Sequence, residues 1–191
     1  MKQRITEILR NYEKRHIAAG HLTPSAVLVS LFSKDGQCHV LLTERSCEVN
    51  SHKGQVCFPG GTHQEGDSSL LQTALRECEE EIGLKAEDAE ILGELDDNIV
   101  SSTGYVISPF VASIPYPYPF KANRREIRQI FSVPLSFLMN KANLKQGRQV
   151  VDDQSFAGYA YEYESHIIWG ATARILKHFT DLLEPESGAL G

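Results

Sequence analysis

No two cysteines in this chain form a C-x-x-C pair. The four present, Cys38, Cys47, Cys57 and Cys78, are scattered, and no histidine pair at zinc spacing accompanies them. That pattern excludes the common structural zinc modules, and four reduced thiols are expected. No apolar run approaches the roughly 18 residues of a membrane-spanning helix. Positive charge is short as well: Lys and Arg total 19 against 25 Asp and Glu, a net charge of −6. A general nucleic-acid binder would be basic, so that class is set aside. A phosphorylated substrate is not, because a bound cation supplies positive charge locally. Met1-Lys2-Gln3-Arg4 leads into an amphipathic rather than an apolar stretch, so no signal peptide is expected. Gly188-Ala189-Leu190-Gly191 is not the peroxisomal tripeptide signal. Together these absences point to a reducing cytoplasm, expected to be bacterial. There is no internal repeat and no sign of a second domain. At 191 residues a single domain over 1–191 is expected, long enough to bury a core without staples.

What the chain does have is concentrated in Leu70 to Leu84, LLQTALRECEEEIGL. Four of the five residues from Glu77 to Glu81 are glutamates. Like charges three or four residues apart on a helix repel by roughly 0.2–0.5 kcal/mol per pair. Negative charge in the last turn opposes the helix dipole by about 0.3–1 kcal/mol each when exposed. Gly83 is the expected C-terminal stop, and Asp67 or Ser68 the expected N-cap. At 3.6 residues per turn, Glu77, Glu80 and Glu81 project to one side and Glu79 to nearly the opposite side. Three carboxylates on one face suit Mg²⁺ or Mn²⁺, hard cations that prefer oxygen. Arg76, next to Glu77 and four residues before Glu80, is placed to orient the cluster. The alternative is a solvated acidic helix end. Cys78 falls on the side away from Glu80 and reads as a small core residue. Upstream, Phe58-Pro59-Gly60-Gly61 precedes a polar loop, and the Gly pair permits close approach of a ligand or metal.

Periodicity supplies the remaining elements. Ile5, Ile8, Leu9, Tyr12 and Ile17 recur at helical spacing, which predicts an amphipathic helix over 2–18. Strands are predicted at Ser25–Ser33 and Cys38–Thr43, joined by a turn at Lys34-Asp35-Gly36. Glu44 to Gln55 reads as a long loop. Further strands are predicted at Ala89–Leu95, Tyr105–Ile114, Ile127–Val133 and Phe156–Tyr163, with a short helix at Pro134–Met139. Three prolines keep Ile114–Phe120 out of any central strand. It is a rigid connector or an aromatic flap that stacks on an adenine. Gly170–Leu183 predicts a closing helix with Ile175, Leu176, Phe179, Leu182 and Leu183 inward. Strands alternating with helices predict an α/β fold, a mixed sheet between helical layers.

Gly61 to Leu84 resembles the Nudix box, a glycine and an acidic residue followed by RExxEExG and an aliphatic residue. The RExxEExG half matches fully from Arg76 to Gly83. Asp67 stands where Glu is usual, and the spacer from Asp67 to Arg76 is one residue longer than in the usual box. Leu41-Leu42-Thr43-Glu44-Arg45-Ser46, His52, Gly54 and Phe58-Pro59-Gly60-Gly61 are similar to the motif of the coenzyme A pyrophosphatase branch, which tends to carry that longer box. Ser101-Ser102-Thr103-Gly104, Val133-Pro134-Leu135 and Ile168–Arg174 resemble the same branch. Asn50 stands where that branch usually has Arg, and Thr62 where Lys is common. The resemblance runs from about Leu22 to Leu183 and implies a Nudix-type α/β/α sandwich.

The resemblance further implies hydrolysis of a nucleoside diphosphate derivative, here the diphosphate of coenzyme A or its thioesters, with Mg²⁺ or Mn²⁺ as cofactor. A phosphoanhydride shields itself with negative charge, and divalent cations neutralise that charge and activate water. The proposed metal ligands are Glu77, Glu80 and Glu81, with the carbonyl of Gly60 or Gly61 added from the resemblance. Glu80 or Glu77 is the expected base, with Glu126 the alternative on a distal loop. Arg45, His52, Lys53 and Gly61 are the candidate substrate contacts, since Arg suits bidentate phosphate recognition. The expected partner is a small nucleotide of coenzyme A type; neither nucleic acid nor membrane is expected, and a homodimer is compatible. Two other readings stand beside this one: a Nudix enzyme for nucleoside triphosphates or ADP-ribose, and a non-catalytic Nudix-like binding module. The pre-box motif argues against the first, and retention of every box carboxylate against the second.

Overall fold

The computed structural model describes residues 1–46, 54–100, 103–151 and 154–184. Helix α1 spans Lys2–Asn11, shorter than the expected 2–18. It stops at Tyr12, whose backbone is extended. Beyond it the N–H groups of Arg15 and Ile17 donate to the carboxylates of Asp96 and Asp97. Those tertiary bonds take the donors a continued helix would need, so periodicity is overridden.

Strands β1 (Thr23–Lys34) and β2 (Gln37–Arg45) form the expected antiparallel hairpin. Asp35 and Gly36 take φ of 50° and 76° at its tip, the signature of the two-residue turn whose twist matches a hairpin. Next come β3 (Val56–Cys57), β4 (Gly60–Thr62), α2 (Leu70–Ile82), β5 (Glu90–Glu94), β6 (Asn98–Val100) and β7 (Tyr105–Ser113). The chain then runs through β8 (Ile127–Pro134), α3 (Leu135–Met139), β9 (Leu144–Val151), β10 (Gln154–Tyr163), β11 (His166–Trp169) and α4 (Gly170–Leu183). Among the described residues β1 to β8 make one sheet, in which β1 and β7 pair in parallel from Thr23↔Tyr105 to Leu31↔Ser113 and every other pair is antiparallel. Strands β9 to β11 form a separate antiparallel sheet.

Alternation along the strands divides the apolar side chains between two cores. Ala26, Leu28 and Leu41 meet Ala74, Cys78 and Ile82 of α2 on one face. Val29, Leu31 and Leu42 meet Ile5 and Leu9 of α1 and Ile175, Leu176 and Phe179 of α4 on the other. The result is the expected mixed sheet between helical layers. Cys78 is fully buried, as its place on the helix implied. No helix among the described residues is long and apolar enough to cross a membrane.

The connector after β7 leans on the end of α2. Tyr116 stacks on Phe32 with ring centroids 4.7 Å apart. The Tyr118 hydroxyl accepts from Lys85 N–H at 3.0 Å and donates to Asp88 at 2.8 Å. The N–H groups of Lys121 and Asn123 donate to the carbonyls of Ile82 and Glu81 at 2.9 and 2.8 Å. Two carbonyls that the last turn of α2 leaves open are satisfied this way.

Candidate active site in the cavity beside the acidic helix

Helix α2 begins at Ser69, whose hydroxyl accepts from Gln72 N–H at 3.2 Å, one or two residues beyond the expected cap at Asp67 or Ser68. Asp67 is occupied otherwise. Its carboxylate accepts from Arg76 Nε at 2.9 Å, Arg76 Nη2 at 3.1 Å and the Thr73 hydroxyl at 2.8 Å. The Arg76 guanidinium, followed by the Gln64 N–H, holds the Asp67 carboxyl well below the usual range. Helix α2 ends at Gly83 in the left-handed region, φ 72°, as predicted.

One face of α2 borders a cavity of about 650 Å³. Glu77, Glu81 and Glu126 line it, together with Arg45, Gly60 and Gly61. Val27, Val56, Phe58, Ile107 and Trp169 supply an apolar wall. Gly60 is sterically required by the backbone, and Gly61 by the present position of the Glu77 carboxylate. Gly60 has φ 152°, and a Cβ there would lie 2.3 Å from the Ala26 carbonyl oxygen. A Cβ on Gly61 would lie 2.4 Å from the carboxyl carbon of Glu77. The glycine pair thus leaves the space that the Glu77 carboxylate occupies.

Glu81 is 2% exposed. Its Oε2 accepts from Gly60 N–H at 3.1 Å, and Arg45 Nη1 stands 3.9 Å from Oε1. Burial is the main force pushing its pKa up to about 8, and the charges of Glu77 and Glu126 push the same way. Burial also raises Glu77, against the 2.8 Å ion pair with Arg76, and Glu80 and Glu126 add to the rise. Arg45 is the only cation against Glu81 among the described residues, and its Nε is buried without a hydrogen-bond partner. Asn123 Nδ2 donates to Glu126 Oε1 at 2.8 Å.

The expected face holds for Glu77 and Glu81 and differs for Glu80. Glu80 sits about 100° around the helix from Glu81. Arg76 captures both its oxygens at 3.2 Å, and its side chain is 56% exposed outside the cavity lining. Glu79 points away as expected and pairs with Lys85. His52, Lys53 and Asn50 lie outside the described residues, as do Cys47, Ser101 and Ser102. Thr62 contributes its carbonyl, which accepts from Arg76 at 3.3 Å. Reading the sequence assigned no role to Arg174, which lines the cavity from α4. Its segment, Ile168–Arg174, stands out only as a resemblance, since the spacing within α4 reads as an amphipathic helix.

Among the described residues no three His, Cys, Asp or Glu side chains converge tightly enough to enclose a metal ion. The donor chemistry nevertheless fits a hard dication. Three carboxylates share one cavity, two of them destabilised as anions by burial and by each other, with the glycine-cleared space beside Glu77.

Comparison with known proteins gives the family of the chain. The sequence matches the NUDIX domain family over residues 21–154. An uncharacterized Nudix hydrolase NudL from Photorhabdus laumondii is 38% identical over 152 residues, 80% of this chain and 80% of its own. The like-named protein of Yersinia pestis is 35% identical over 157 residues, 81% of this chain and 76% of that one. In fold alone, the chain resembles the crystal structure of a MutT/nudix family protein from Enterococcus faecalis, with a TM-score of 0.54 at 16% identity over 96% of this chain and 69% of the other. Two box carboxylates, Glu77 and Glu81, stand at the cavity, and the family match spans the whole box: this chain belongs to the Nudix family and is a pyrophosphohydrolase of that family.

Proposed function

We propose that this Nudix hydrolase cleaves the diphosphate linkage of coenzyme A or acyl-coenzyme A, using Mg²⁺ or Mn²⁺. The products are adenosine 3′,5′-bisphosphate and free or acylated 4′-phosphopantetheine. The observation that carries the hydrolytic reading is the grouping of Glu77, Glu81 and Glu126 in one cavity that also has an apolar wall. The motif resemblance around Leu41–Gly61 and Ile168–Arg174 supports the choice of coenzyme A. The cavity also has the size typical of small-molecule sites.

Glu77 and Glu81 would hold the ion, with Glu80 and the Gly61 carbonyl as further donors at the rim and floor. The ion supplies charge neutralisation of the diphosphate and acidification of a water. Arg76 fixes Glu77 and is itself locked by Asp67. Glu126 is the favoured base: Asn123 engages one of its oxygens, which leaves the other to accept a proton from the attacking water. Glu77 is less suited to that task, because its charge is committed to Arg76. Arg45 extends from beside Glu81 and suits a phosphate oxygen.

The test is product analysis by mass spectrometry on a panel of diphosphates with Mg²⁺ and Mn²⁺, in ¹⁸O water. Coenzyme A should yield the two named products, one carrying the label. Cleavage of ADP-ribose or nucleoside triphosphates with coenzyme A untouched would move the enzyme to another branch of the family.

A further inference from the structure

We propose that Arg174 binds a phosphate group of the substrate that lies outside the diphosphate to be cleaved, a phosphomonoester on the nucleoside. This rests on the coenzyme A reading above for the identity of that group, and on the structure of the cavity for its place.

Arg174 lines the same cavity as the box carboxylates. Its guanidinium is held by neutral groups only: Nε and Nη2 donate to Asn98 Oδ1 at 3.2 and 2.7 Å, and Nη2 also donates to the Ile99 carbonyl at 3.0 Å. Among the described residues no carboxylate pairs with it, and its Nη1 donates to none of them. Burial lowers its basicity with no acidic neighbour to offset it. An arginine that is partly desolvated, aimed by neutral acceptors and left without an anion is arranged for an external one. Arg76 in the same protein is the contrast, with three carboxylates around it.

Strand register places this charge far from the cleavage end. Asn98 pairs with Ile107, Ile107 with Ser25, and Ser25 with Thr62. These four residues form one row across β6, β7, β1 and β4. Neighbouring strands lie about 4.8 Å apart, so Asn98 and Thr62 stand about 14 Å apart across three steps. Arg174 is anchored at the first, and Gly61, against the Glu77 carboxylate, adjoins the last. The two phosphorus atoms of a diphosphate share one bridging oxygen, so that group is far shorter than the row. An anion at Arg174 is therefore a different group from the one beside Glu77 and Glu81. Coenzyme A carries such a group as its 3′-phosphate; dephospho-coenzyme A and ADP-ribose do not.

Calorimetric titration of the full chain with adenosine 3′,5′-bisphosphate and with AMP, in metal-free buffer, tests this without turnover. The wild type should bind the bisphosphate at least about tenfold more tightly than AMP. Arg174→Gln should erase that margin and leave AMP affinity unchanged. Arg174→Lys keeps one charge and one donor to Asn98 but loses the planar fork, and should fall between the two. It decides the matter if the Gln variant does not fold. The proposal is overturned by no margin in the wild type, by an undiminished margin in either variant, or by equal weakening of both ligands. Failure of the coenzyme A reading shows separately, as coenzyme A and dephospho-coenzyme A both left intact by the wild type with Mg²⁺ or Mn²⁺.

Discussion

Two of the carboxylate groups among the described residues, Asp96 with Asp97 and Glu77 with Glu81, are balanced in opposite ways. Asp96 and Asp97, between β5 and β6, are each met by several donors. Asp96 accepts from the Tyr12 hydroxyl and from the backbone and side chain of Arg15. Asp97 accepts from Ser108 and Ile17 N–H and pairs with Lys14 at 3.0 Å. For both, burial alone would raise the pKa, but these hydrogen bonds outweigh it and bring each below the ordinary value. Around Glu77 and Glu81 the balance runs the other way, and burial wins. Carboxylates supplied with protein donors fasten segments together. Where the donors present do not offset burial, as at Glu77 and Glu81, a cation from outside would complete the balance on the proposed reading. The same residue chemistry is fastened in one place and, on the proposed reading, functional in the other because of what surrounds it.

The sharpest way to break this contrast is at Glu81. Glu81→Gln should lower kcat/KM by at least about a hundredfold at saturating Mg²⁺, since it removes a charged donor to the proposed ion. The same variant should be more stable than the wild type in metal-free buffer near pH 8. The sign follows from linkage: Glu81 has a folded pKa of about 8 against an ordinary 4.5. Between those values the folded form holds a proton that the unfolded form releases, so stability falls as pH rises through that window. The amide carries no such term. Thermal melts from pH 5 to 8, with EDTA, would show the wild type losing ground while the variant does not. Parallel curves would undo the claim that Glu81 is unneutralised.

At the other cluster, Asp97→Ala should destabilise the fold by about 3 kcal/mol, because it removes the acceptor of Ser108 and Ile17 N–H and leaves Lys14, whose side chain is only 8% exposed, with Glu94 as its remaining carboxylate at 2.8 Å. Urea denaturation measures it, and a loss under 1 kcal/mol would contradict a buried, fully supplied pair.

Acid should loosen the same cluster without any mutation. The folded pKa values of Asp96 and Asp97 are depressed from 3.8. Their contribution is thus complete above about pH 4 and is lost as pH falls through the lower folded values. Asp97→Asn should flatten the acid limb of a stability–pH curve, whereas an unchanged limb would assign the acid loss to other groups. Smallest of all is Glu79→Gln, which should change turnover less than about twofold, because Glu79 faces Lys85 outside the cavity. Equal losses at Glu79 and Glu81 would sink the division of faces.

Much of this arrangement was legible in the sequence, and the gaps have physical causes. Helical spacing and Gly83 located α2, placed Glu79 outward and Cys78 in the core. The closing helix Gly170–Leu183 was read to the residue. Local periodicity failed where distant partners intervened, as when Asp96 and Asp97 ended α1 early. It also missed β9, whose polar LKQGRQVV lacks apolar alternation and is held by pairing with β10. Strands β6 and β11, of three and four residues, are too short to show a period. Glu80 left the expected face because Arg76, one turn before it, is the stronger claim on its charge. The approach of Arg174 to the cavity is a tertiary fact, set by the packing of α4 beside β6, which no spacing within α4 records.

Asn123 gives the site a rigidity of its own. Its backbone N–H is hooked to the carbonyl of Glu81, and its side-chain amide holds the carboxylate of Glu126. One residue therefore acts as a caliper between the helix carboxylate and the loop carboxylate, fixing their spacing through the backbone. The loop cannot swing outward without unfastening the end of α2, where Lys121 is tied as well. On the proposed reading, the separation between the ion held at Glu81 and the base Glu126 would thus be set during folding, before any substrate arrives, and the entropy of aligning them would not be charged to each turnover.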